Sequence, residues 1–144
     1  MATSVVPDAD TEFGTRVRRR LAEATVGWLT TVGRDGTPQP NPVWFLWDGE
    51  DSVLVYNRPD ANRLTHVKDR PRVSLNLDGN GAGGDIIVVT GTAEIAEDVP
   101  LAQHNPEYLT KYGEGAARVS GDVESFGDAY PVALRITVTK IRGF

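Results

Sequence analysis

The segment from Arg58 to Arg72 is basic, although the chain as a whole is acidic. It holds five of the fifteen Lys and Arg residues but only two of the twenty Asp and Glu residues, so its charge is +3 in a chain of net charge −5. The basic residues are Arg58, Arg63, Lys68, Arg70 and Arg72. Because guanidinium and ammonium groups form charge-assisted hydrogen bonds with phosphate oxygens, this segment predicts a site for a phosphorylated ligand.

Arg58 is the first candidate for a phosphate contact, since a planar guanidinium group can donate to two oxygens at once. Arg63 can act in the same way, and Lys68 can add a point charge. The alternative is that these side chains carry only solvated surface charge, which is common for Lys and Arg. That alternative is the preferred interpretation for Arg70 and Arg72.

Charge, composition and the length of apolar runs exclude several classes of protein. A pI near 5.0 argues against a general nucleic-acid-binding protein. The chain has no cysteine, which excludes disulfides and thiol catalysis, and its two histidines, His66 and His104, lack metal-binding spacing. The N-terminus has no signal-peptide pattern, and no apolar run approaches the length of a membrane span. We therefore predict a cytoplasmic protein that binds neither nucleic acid nor membrane.

The elements that position the basic segment are mainly strands. We predict a flexible tail over residues 1–10 and a single domain over residues 11–144, which begins with a helix capped by Asp10 or Thr11. Alternating apolar residues and turn signals predict six strands. Their ranges are 26–32, 38–47, 52–57, 73–77, 86–95 and 132–141. Turns join most of them directly, which favours a mainly β protein, a small barrel with peripheral helices.

The segments between the strands are predicted from their turn and helix signals. Leu64 and Val67 favour a short helix inside the basic segment, and Asp98 with Pro100 favours a helix to about Tyr112, interrupted near Pro106. Residues 113–128 are glycine-rich and acidic, and we predict a surface loop there. Gly79–Gly84 resembles no known phosphate loop and is predicted to be a hairpin tip, while Gly91 predicts a bend within its strand.

The strand over 38–47 begins with prolines at positions 38, 40 and 42. Proline has no N–H group, so this half of the strand must be an edge, a bulge or a rim facing a ligand. Gln39 and Asn41 alternate with the prolines, and their amides can both donate and accept hydrogen bonds. The segment is therefore a second candidate for ligand binding.

Four segments together resemble the flavin-binding half of the pyridoxamine 5′-phosphate oxidase-like split-barrel family. They are Gly36-Thr-Pro-Gln-Pro-Asn-Pro-Val-Trp-Phe45, Leu54-Val-Tyr-Asn-Arg-Pro59, Asn62-Arg-Leu64 and Asp69-Arg-Pro-Arg-Val-Ser-Leu75. The order of elements, with Pro106-Glu-Tyr-Leu-Thr-Lys-Tyr112 and Arg135-Ile-Thr-Val-Thr-Lys-Ile141, is similar to the branch that depends on the deazaflavin coenzyme F-420. The resemblance covers residues 11 to 144.

This resemblance implies a six-stranded antiparallel split β-barrel of the FMN-binding type. It also implies a homodimer with the cofactor near the subunit interface, and hydride transfer between F-420 and a small organic substrate. The cofactor-binding residues that it implies fall into three groups and one further contact. Tyr56, Asn57, Arg58 and Arg63 lie at the phosphate, where Lys68 adds a point charge for an acidic tail. Gln39 and Asn41 lie at the edge of the ring, and Val43 and Trp44 lie beneath it. Pro42, between Asn41 and Val43, is a further cofactor contact. No catalytic acid or base is predicted, because the cofactor carries the hydride step.

Several alternatives stay open from the sequence. FMN can replace F-420, and a flavin carrier without turnover would use the same binding residues. A haem protein on the same barrel would need an axial His, Tyr, Cys or Met, but the chain has no Cys, its one Met is Met1, and its histidines are His66 and His104, of which His66 is expected to face solvent. Trp28 and Phe45 are interpreted as core or dimer-interface residues, because aromatic side chains dominate both, whereas Trp44 fits either packing or cofactor binding.

Overall fold

A seven-stranded antiparallel sheet dominates the computed structural model, which describes residues 5–144. The strands are β1 (Gly27–Val32), β2 (Pro38–Val43), β3 (Leu46–Trp47), β4 (Ser52–Asn57), β5 (Arg72–Leu77), β6 (Ile87–Ala96) and β7 (Val132–Gly143). Their order is β2-β1-β5-β6-β7-β4-β3. The mainly β class and the split-barrel fold are confirmed. The strand number is seven rather than six, because the segment predicted as one strand over 38–47 divides into β2 and β3.

The sheet curls because its two edge strands are consecutive in the chain. β2 and β3 occupy opposite edges of the sheet, yet only Trp44 and Phe45 separate them. An extended chain from Val43 to Leu46 spans about 10 Å at most. The two edges must therefore approach each other, and the sheet closes into a barrel that is split at Trp44–Phe45, which we call the seam.

Apolar side chains from alternate strand positions fill the barrel. Phe45, Leu75, Ile87, Val89 and Leu134 are all completely buried, as the period of two in a half-buried strand requires. Phe45, which the sequence predicted to be a core or dimer-interface residue, lies in the core. Trp28 is not part of this core, since it lies on the outer face of the sheet with 38% of its surface exposed.

Four α-helices pack outside the sheet in the part of the chain that the structure describes. They are α1 (Glu12–Glu23), α2 (Asn62–Asp69), α3 (Pro106–Ser120) and α4 (Val123–Ala129). Helix α1 begins as predicted, because the Thr11 side chain accepts a hydrogen bond from the backbone N–H of Gly14 at 2.9 Å. Within residues 5–144, none of the helices has the length and apolar character needed to span a membrane.

The surface loop predicted over residues 113–128 is wrong, since these residues form most of α3 and α4. Asn105 caps α3 and Pro106 occupies its first turn, so this proline starts the helix instead of interrupting it. Tyr108, Tyr112 and Ala116 are spaced four residues apart and are all buried. The burial of this face outweighs the cost of the helical glycines, roughly 1 kcal/mol each.

The N-terminal segment packs against the barrel where the structure describes it. Val6 is 3% exposed and belongs to the core, and Arg18 donates two hydrogen bonds to the carbonyl of Pro7. The predicted flexible tail over residues 1–10 is therefore held from Val6 onward, because an apolar side chain can be buried there. Met1–Ser4 lie outside the described residues.

Two backbone predictions are confirmed at the sheet. β2 pairs with β1 at the edge of the sheet, which is the first of the three roles that its prolines allowed. The register of β6 against β7 shifts between Thr90 and Gly91, so the predicted bend at Gly91 is a β-bulge. Residues 79–84 connect the adjacent antiparallel strands β5 and β6, as expected of a hairpin tip.

Candidate cofactor-binding site

A cavity of about 260 Å³ lies between the seam, the end of β4 and the helices α2, α3 and α4. We call it the aromatic cavity. Its lining residues are Pro42, Val43, Trp44, Tyr56, Arg63, Tyr108, Val119, Phe126 and Tyr130. The first five of these are among the ten residues predicted from the sequence to bind a cofactor. The cavity therefore joins one predicted cation to an apolar and aromatic wall.

Arg63 is the charged residue in this lining, and a buried amide fixes its direction. Its Nε donates a hydrogen bond to Oδ1 of Asn57 at 2.5 Å. Asn57 is fully buried, and its Nδ2 donates to the carbonyls of Val55 and Val132 at 2.9 and 3.0 Å. Because both backbone carbonyls need the N–H side of the amide, Oδ1 must face Arg63. Asn57 therefore positions the guanidinium group.

The outer nitrogens of Arg63 have no hydrogen-bond partner among residues 5–144, and no carboxylate there forms an ion pair with it. Burial lowers the pKa of Arg63 from its usual value, although an arginine stays charged at any physiological pH. A desolvated cation without an internal counter-ion favours an anion in the cavity. The terminal guanidinium nitrogens can supply bidentate hydrogen bonds to a phosphate or carboxylate.

Stacked rings form the rest of the wall. Trp44 stacks on Tyr112 with ring centroids 4.9 Å apart and on Phe126 at 5.4 Å, and Phe126 stacks on Tyr130 at 4.6 Å. Tyr108 meets Tyr56 edge to face at 4.8 Å. Flat aromatic surfaces of this kind fit a planar conjugated ring, since stacking and apolar burial act over the whole ring face.

Two tyrosines in the lining, Tyr56 and Tyr108, differ in the hydrogen bonds of their hydroxyl groups. The Tyr56 hydroxyl donates to the carbonyl of Pro100 at 2.6 Å and accepts from Nδ2 of Asn105 at 3.1 Å. The Tyr108 hydroxyl has no hydrogen-bond partner among residues 5–144, although Tyr108 is only 1% exposed. Burial raises the pKa of Tyr108 well above its usual value, so this phenol stays protonated. It can therefore donate a hydrogen bond to a ligand.

Besides Asn57, which supports Arg63, the structure places four predicted residues outside the lining of the aromatic cavity. Arg58 is exposed, and its guanidinium carbon lies 5.1 Å from the centre of the Tyr130 ring, next to the lining. Lys68 is exposed in the last turn of α2. Gln39 is half-buried and Asn41 is exposed. Both precede Pro42 and Val43, the two residues of β2 that line the cavity. Contact of these four side chains with a cofactor stays a prediction.

His66 is less exposed to solvent than expected. It is half-buried, and its Nδ1 lies 2.8 Å from Oγ1 of Thr31, which is itself 1% exposed. The imidazole therefore joins α2 to β1 and does not line the aromatic cavity.

The sequence interpretation missed Tyr108, Val119, Phe126 and Tyr130. Three of these lie in or directly after the segment that was predicted to be a loop. The signal that indicates them is the spacing of Tyr108, Tyr112 and Ala116, which continues a helical face past Gly113. The helix is what brings a second aromatic wall against Trp44.

Helix α3 also holds the seam. The Tyr112 hydroxyl accepts from the backbone N–H of Phe45 at 2.9 Å and lies within donating distance of two carbonyls, Thr25 at 2.8 Å and Phe45 at 2.9 Å. Nζ of Lys111 donates to the same Phe45 carbonyl at 2.9 Å and lies 4.2 Å from the centre of the Phe45 ring. Side chains of α3 thus replace ladder hydrogen bonds where the barrel is split.

The Lys111→Met variant should change how stability depends on pH. Burial lowers the pKa of Lys111 from 10.5 to about 8. Between these two pH values the unfolded chain binds a proton at Lys111 that the folded protein does not. The free energy of unfolding therefore rises with pH across this window, and below pH 8 the full cost of burying the charged amine is present. Allowing for partial solvent screening, we expect this difference to amount to about 2 kcal/mol between pH 7 and 10.5.

The measurement is urea unfolding of the wild type and the variant at several pH values between 7 and 11. The difference between the two curves isolates the contribution of Lys111 from that of the titratable groups that both proteins share. Lys140→Met removes an exposed lysine and serves as the control. Parallel curves for the wild type and Lys111→Met would contradict the prediction.

Comparisons with known proteins identify the fold and the family. Residues 13–144 match the family model described as pyridoxamine 5′-phosphate oxidase. No curated protein sequence matches the chain. Among solved structures, an F-420 reductase has 20% sequence identity, with 87% of this chain and 94% of that chain covered and a TM-score of 0.58.

Two further structures show the same fold. HutZ, a haem storage protein from Vibrio cholerae, has 12% identity and a TM-score of 0.61, with 90% of this chain and 92% of that chain covered. A conserved hypothetical protein from Mycobacterium tuberculosis has 20% identity and a TM-score of 0.62, with 99% and 88% covered. These likenesses concern the fold alone, but the family match extends over nearly the whole sequence. The chain belongs to the pyridoxamine 5′-phosphate oxidase family.

Proposed function

We propose that the protein is an oxidoreductase that binds coenzyme F-420 in the aromatic cavity and exchanges a hydride between it and a small organic substrate. The observation that carries the proposal is Arg63, a cation without a carboxylate partner in the described chain, held by Asn57 at an aromatic cavity. A cofactor with an anionic group and a planar ring fits both features.

The residues of the chain bind and orient the cofactor, which supplies the hydride chemistry. Arg63 holds an anionic group of the cofactor, and Arg58 adds positive charge from its position on Tyr130. Trp44 and Tyr130 border the ring, and the Tyr108 phenol donates a hydrogen bond to the ring or to the substrate. The apolar wall keeps water away from the reacting face.

F-420 is preferred over FMN because the order of elements resembles the F-420 branch and because an F-420 reductase shares the fold. Haem is the third candidate, since HutZ shares the fold as well. Neither His, Cys nor Met occurs among the residues described as lining the aromatic cavity. The tyrosines of the lining are Tyr56, Tyr108 and Tyr130. The Tyr56 hydroxyl is already engaged with Pro100 and Asn105, and burial raises the pKa of Tyr108 and so disfavours the phenolate that would bind haem iron, which favours a flavin-type cofactor.

The proposal includes a homodimer. The aromatic cavity of one chain, about 260 Å³, lies just below the usual size of ligand pockets, roughly 300–1,000 Å³. A partner subunit can supply the missing wall. Trp28 lies on the outer face of β1 with 38% of its surface exposed, and a large exposed aromatic side chain is typical of a protein interface.

The direct test is a titration of the purified protein with F-420, FMN and haemin, followed by tryptophan fluorescence. We expect micromolar binding of F-420 with quenching that depends on Trp44, because that indole borders the aromatic cavity. Tighter binding of FMN would move the protein to the FMN-dependent oxidoreductases. Binding of haemin alone, with a Soret band, would overturn the proposal. Analytical ultracentrifugation of the same samples tests the homodimer.

The Arg63→Ala variant should bind the cofactor about 10- to 100-fold more weakly, because it loses one or more charge-assisted hydrogen bonds of roughly 1.5–3 kcal/mol each. Arg63→Lys should lose less, since it keeps the charge but not the bidentate geometry. The matched control is Arg34→Ala, which removes an exposed arginine from the turn after β1. Isothermal titration calorimetry gives the affinities, and equal values for Arg63→Ala and Arg34→Ala would refute the role of Arg63.

A further inference from the structure

A second cavity, of about 370 Å³, lies beside the aromatic cavity and shares Trp44 and Val119 with it. We call it the lysine cavity. Its lining contains three charged residues, Lys111, Glu114 and Arg118, all from helix α3. The proposed function does not use any of them, so this group of side chains needs its own explanation.

Lys111 lines the lysine cavity and has no charge partner in the described chain. Its Nζ donates to the carbonyl of Phe45 at 2.9 Å and lies 4.2 Å from the Phe45 ring centre and 5.1 Å from that of Tyr112. None of the ion pairs among residues 5–144 includes it. An amine desolvated in this way is partly unprotonated near neutral pH, since burial lowers the pKa of Lys111 to about 8. The neutral amine keeps an N–H for Phe45 and gains a free electron pair.

Arg118 and Glu114 give the lysine cavity complementary chemistry. Both are exposed side chains, and they line the same cavity as Lys111. A guanidinium group binds a carboxylate or phosphate, and a carboxylate can pass protons during a condensation. Tyr112 is the other titratable group in the lining, and burial raises its pKa to about 12, so it stays neutral. The set combines a nucleophile, an anion-binding group and a proton carrier.

We propose that the lysine cavity is a covalent site for an anionic aldehyde, in which Lys111 forms an imine and Arg118 binds the anionic group. The amine nitrogen attacks the aldehyde carbon and forms a C–N bond, which gives a carbinolamine. The carbinolamine then loses its oxygen as water, with both hydrogens of that water coming from the amine, and leaves a C=N bond. No electrons are gained or lost, and hydrolysis by water reverses the step.

This site does not depend on the identity of the cofactor in the aromatic cavity. It uses other charged residues and needs no flavin, so it can be tested on the protein as purified. Its failure would leave the proposed oxidoreductase function untouched, and failure of F-420 to bind would leave this site untouched.

The test uses the fact that the chain has three lysines, Lys68, Lys111 and Lys140, of which the first and last are exposed. The full-length protein is incubated at pH 7.5 with limiting succinic semialdehyde and cyanoborohydride, which traps an imine as a stable secondary amine. Peptide mapping by mass spectrometry then gives the labelling rate at each lysine. We expect Lys111 to react at least about tenfold faster than the other two, because burial lowers the pKa of its amine and leaves part of it unprotonated at this pH. Equal or slower labelling of Lys111 would overturn the proposal.

A second comparison separates a binding site from a merely reactive amine. Labelling of Lys111 by succinic semialdehyde should saturate with concentration, and Arg118→Ala should raise the half-saturating concentration about tenfold. Propionaldehyde, which carries no charge, should label Lys111 at the same rate in Arg118→Ala and in the wild type. Absence of saturation, or an equal effect of Arg118→Ala on both aldehydes, would refute anion binding. Lys111→Arg should lose the label at this position, and the wild-type comparison decides the matter if that variant does not fold.

Discussion

Replacing Tyr112 with phenylalanine is expected to lower the free energy of unfolding by about 3 kcal/mol, because a buried backbone group at the seam loses its partner. The Tyr112 hydroxyl accepts from the N–H of Phe45 and lies within donating distance of the carbonyls of Thr25 and Phe45. The Phe45 carbonyl keeps its bond from Lys111, but the N–H of Phe45 is left without a partner beside a fully buried side chain. Removing one oxygen atom therefore costs more than one ordinary hydrogen bond.

Chemical denaturation followed by circular dichroism measures this loss. Tyr130→Phe is the matched control, since the Tyr130 hydroxyl has no hydrogen-bond partner among residues 5–144 and its ring packs in the same aromatic group. We expect Tyr130→Phe to change stability by less than about 0.5 kcal/mol. If both variants lose the same stability, ring packing rather than the hydroxyl of Tyr112 holds the seam.

The Gly91→Ala variant should be destabilised by about 3–4 kcal/mol, because no space exists for a side chain at the β-bulge. A Cβ atom at this position would lie 2.2 Å from the carbonyl oxygen of Thr137 and 3.0 Å from its carbonyl carbon. Both atoms belong to the backbone of β7, so no rotamer change can relieve the contact. The strands β6 and β7 would have to separate, and the pairing at the centre of the sheet would weaken.

Thermal and urea unfolding of Gly91→Ala give the size of the effect. Gly113→Ala makes the same chemical change in α3, where the nearest atom to the new Cβ would be Cβ of Leu109 at 3.8 Å. That variant should be more stable than the wild type by about 0.5–1 kcal/mol, because alanine favours a helix more than glycine does. A mild effect of Gly91→Ala, comparable in size to that of Gly113→Ala, would show that the sheet can absorb the added methyl group.

Much of the fold could be predicted from local features of the sequence. The Thr11 cap, the turns between strands and the alternation of apolar residues each report on a few neighbouring residues, and these elements lie where they were expected. The prolines at 38, 40 and 42 predicted an edge strand, because the missing N–H group of proline is also a local feature. The wrong prediction of a loop over residues 113–128 has a non-local cause. Gly113 and Gly115 lower the local helix preference, while the burial of Tyr112 and Ala116 against the barrel, which decides the outcome, is a tertiary effect.

The candidate site was predictable only in part. Pro42, Val43, Trp44, Tyr56 and Arg63 were expected to act together and do line one cavity. The wall that faces them comes from α3 and α4, and neither the charge of a segment nor its periodicity indicates which distant element packs against Trp44. The support of Arg63 by Asn57 likewise depends on the carbonyl of Val132, a neighbour only in the folded protein.

The prolines of β2 have a consequence for aggregation. In an antiparallel ladder the N–H groups of successive residues point alternately toward the partner strand and away from it. Pro38, Pro40 and Pro42 pair with Val32, Thr30 and Trp28 of β1, and since this pairing is continuous, the prolines occupy the positions that would point away. The open edge of β2 therefore lacks three consecutive outward donors, and a strand from another molecule cannot complete a ladder there. The split barrel keeps an open edge without exposing a template for fibril growth.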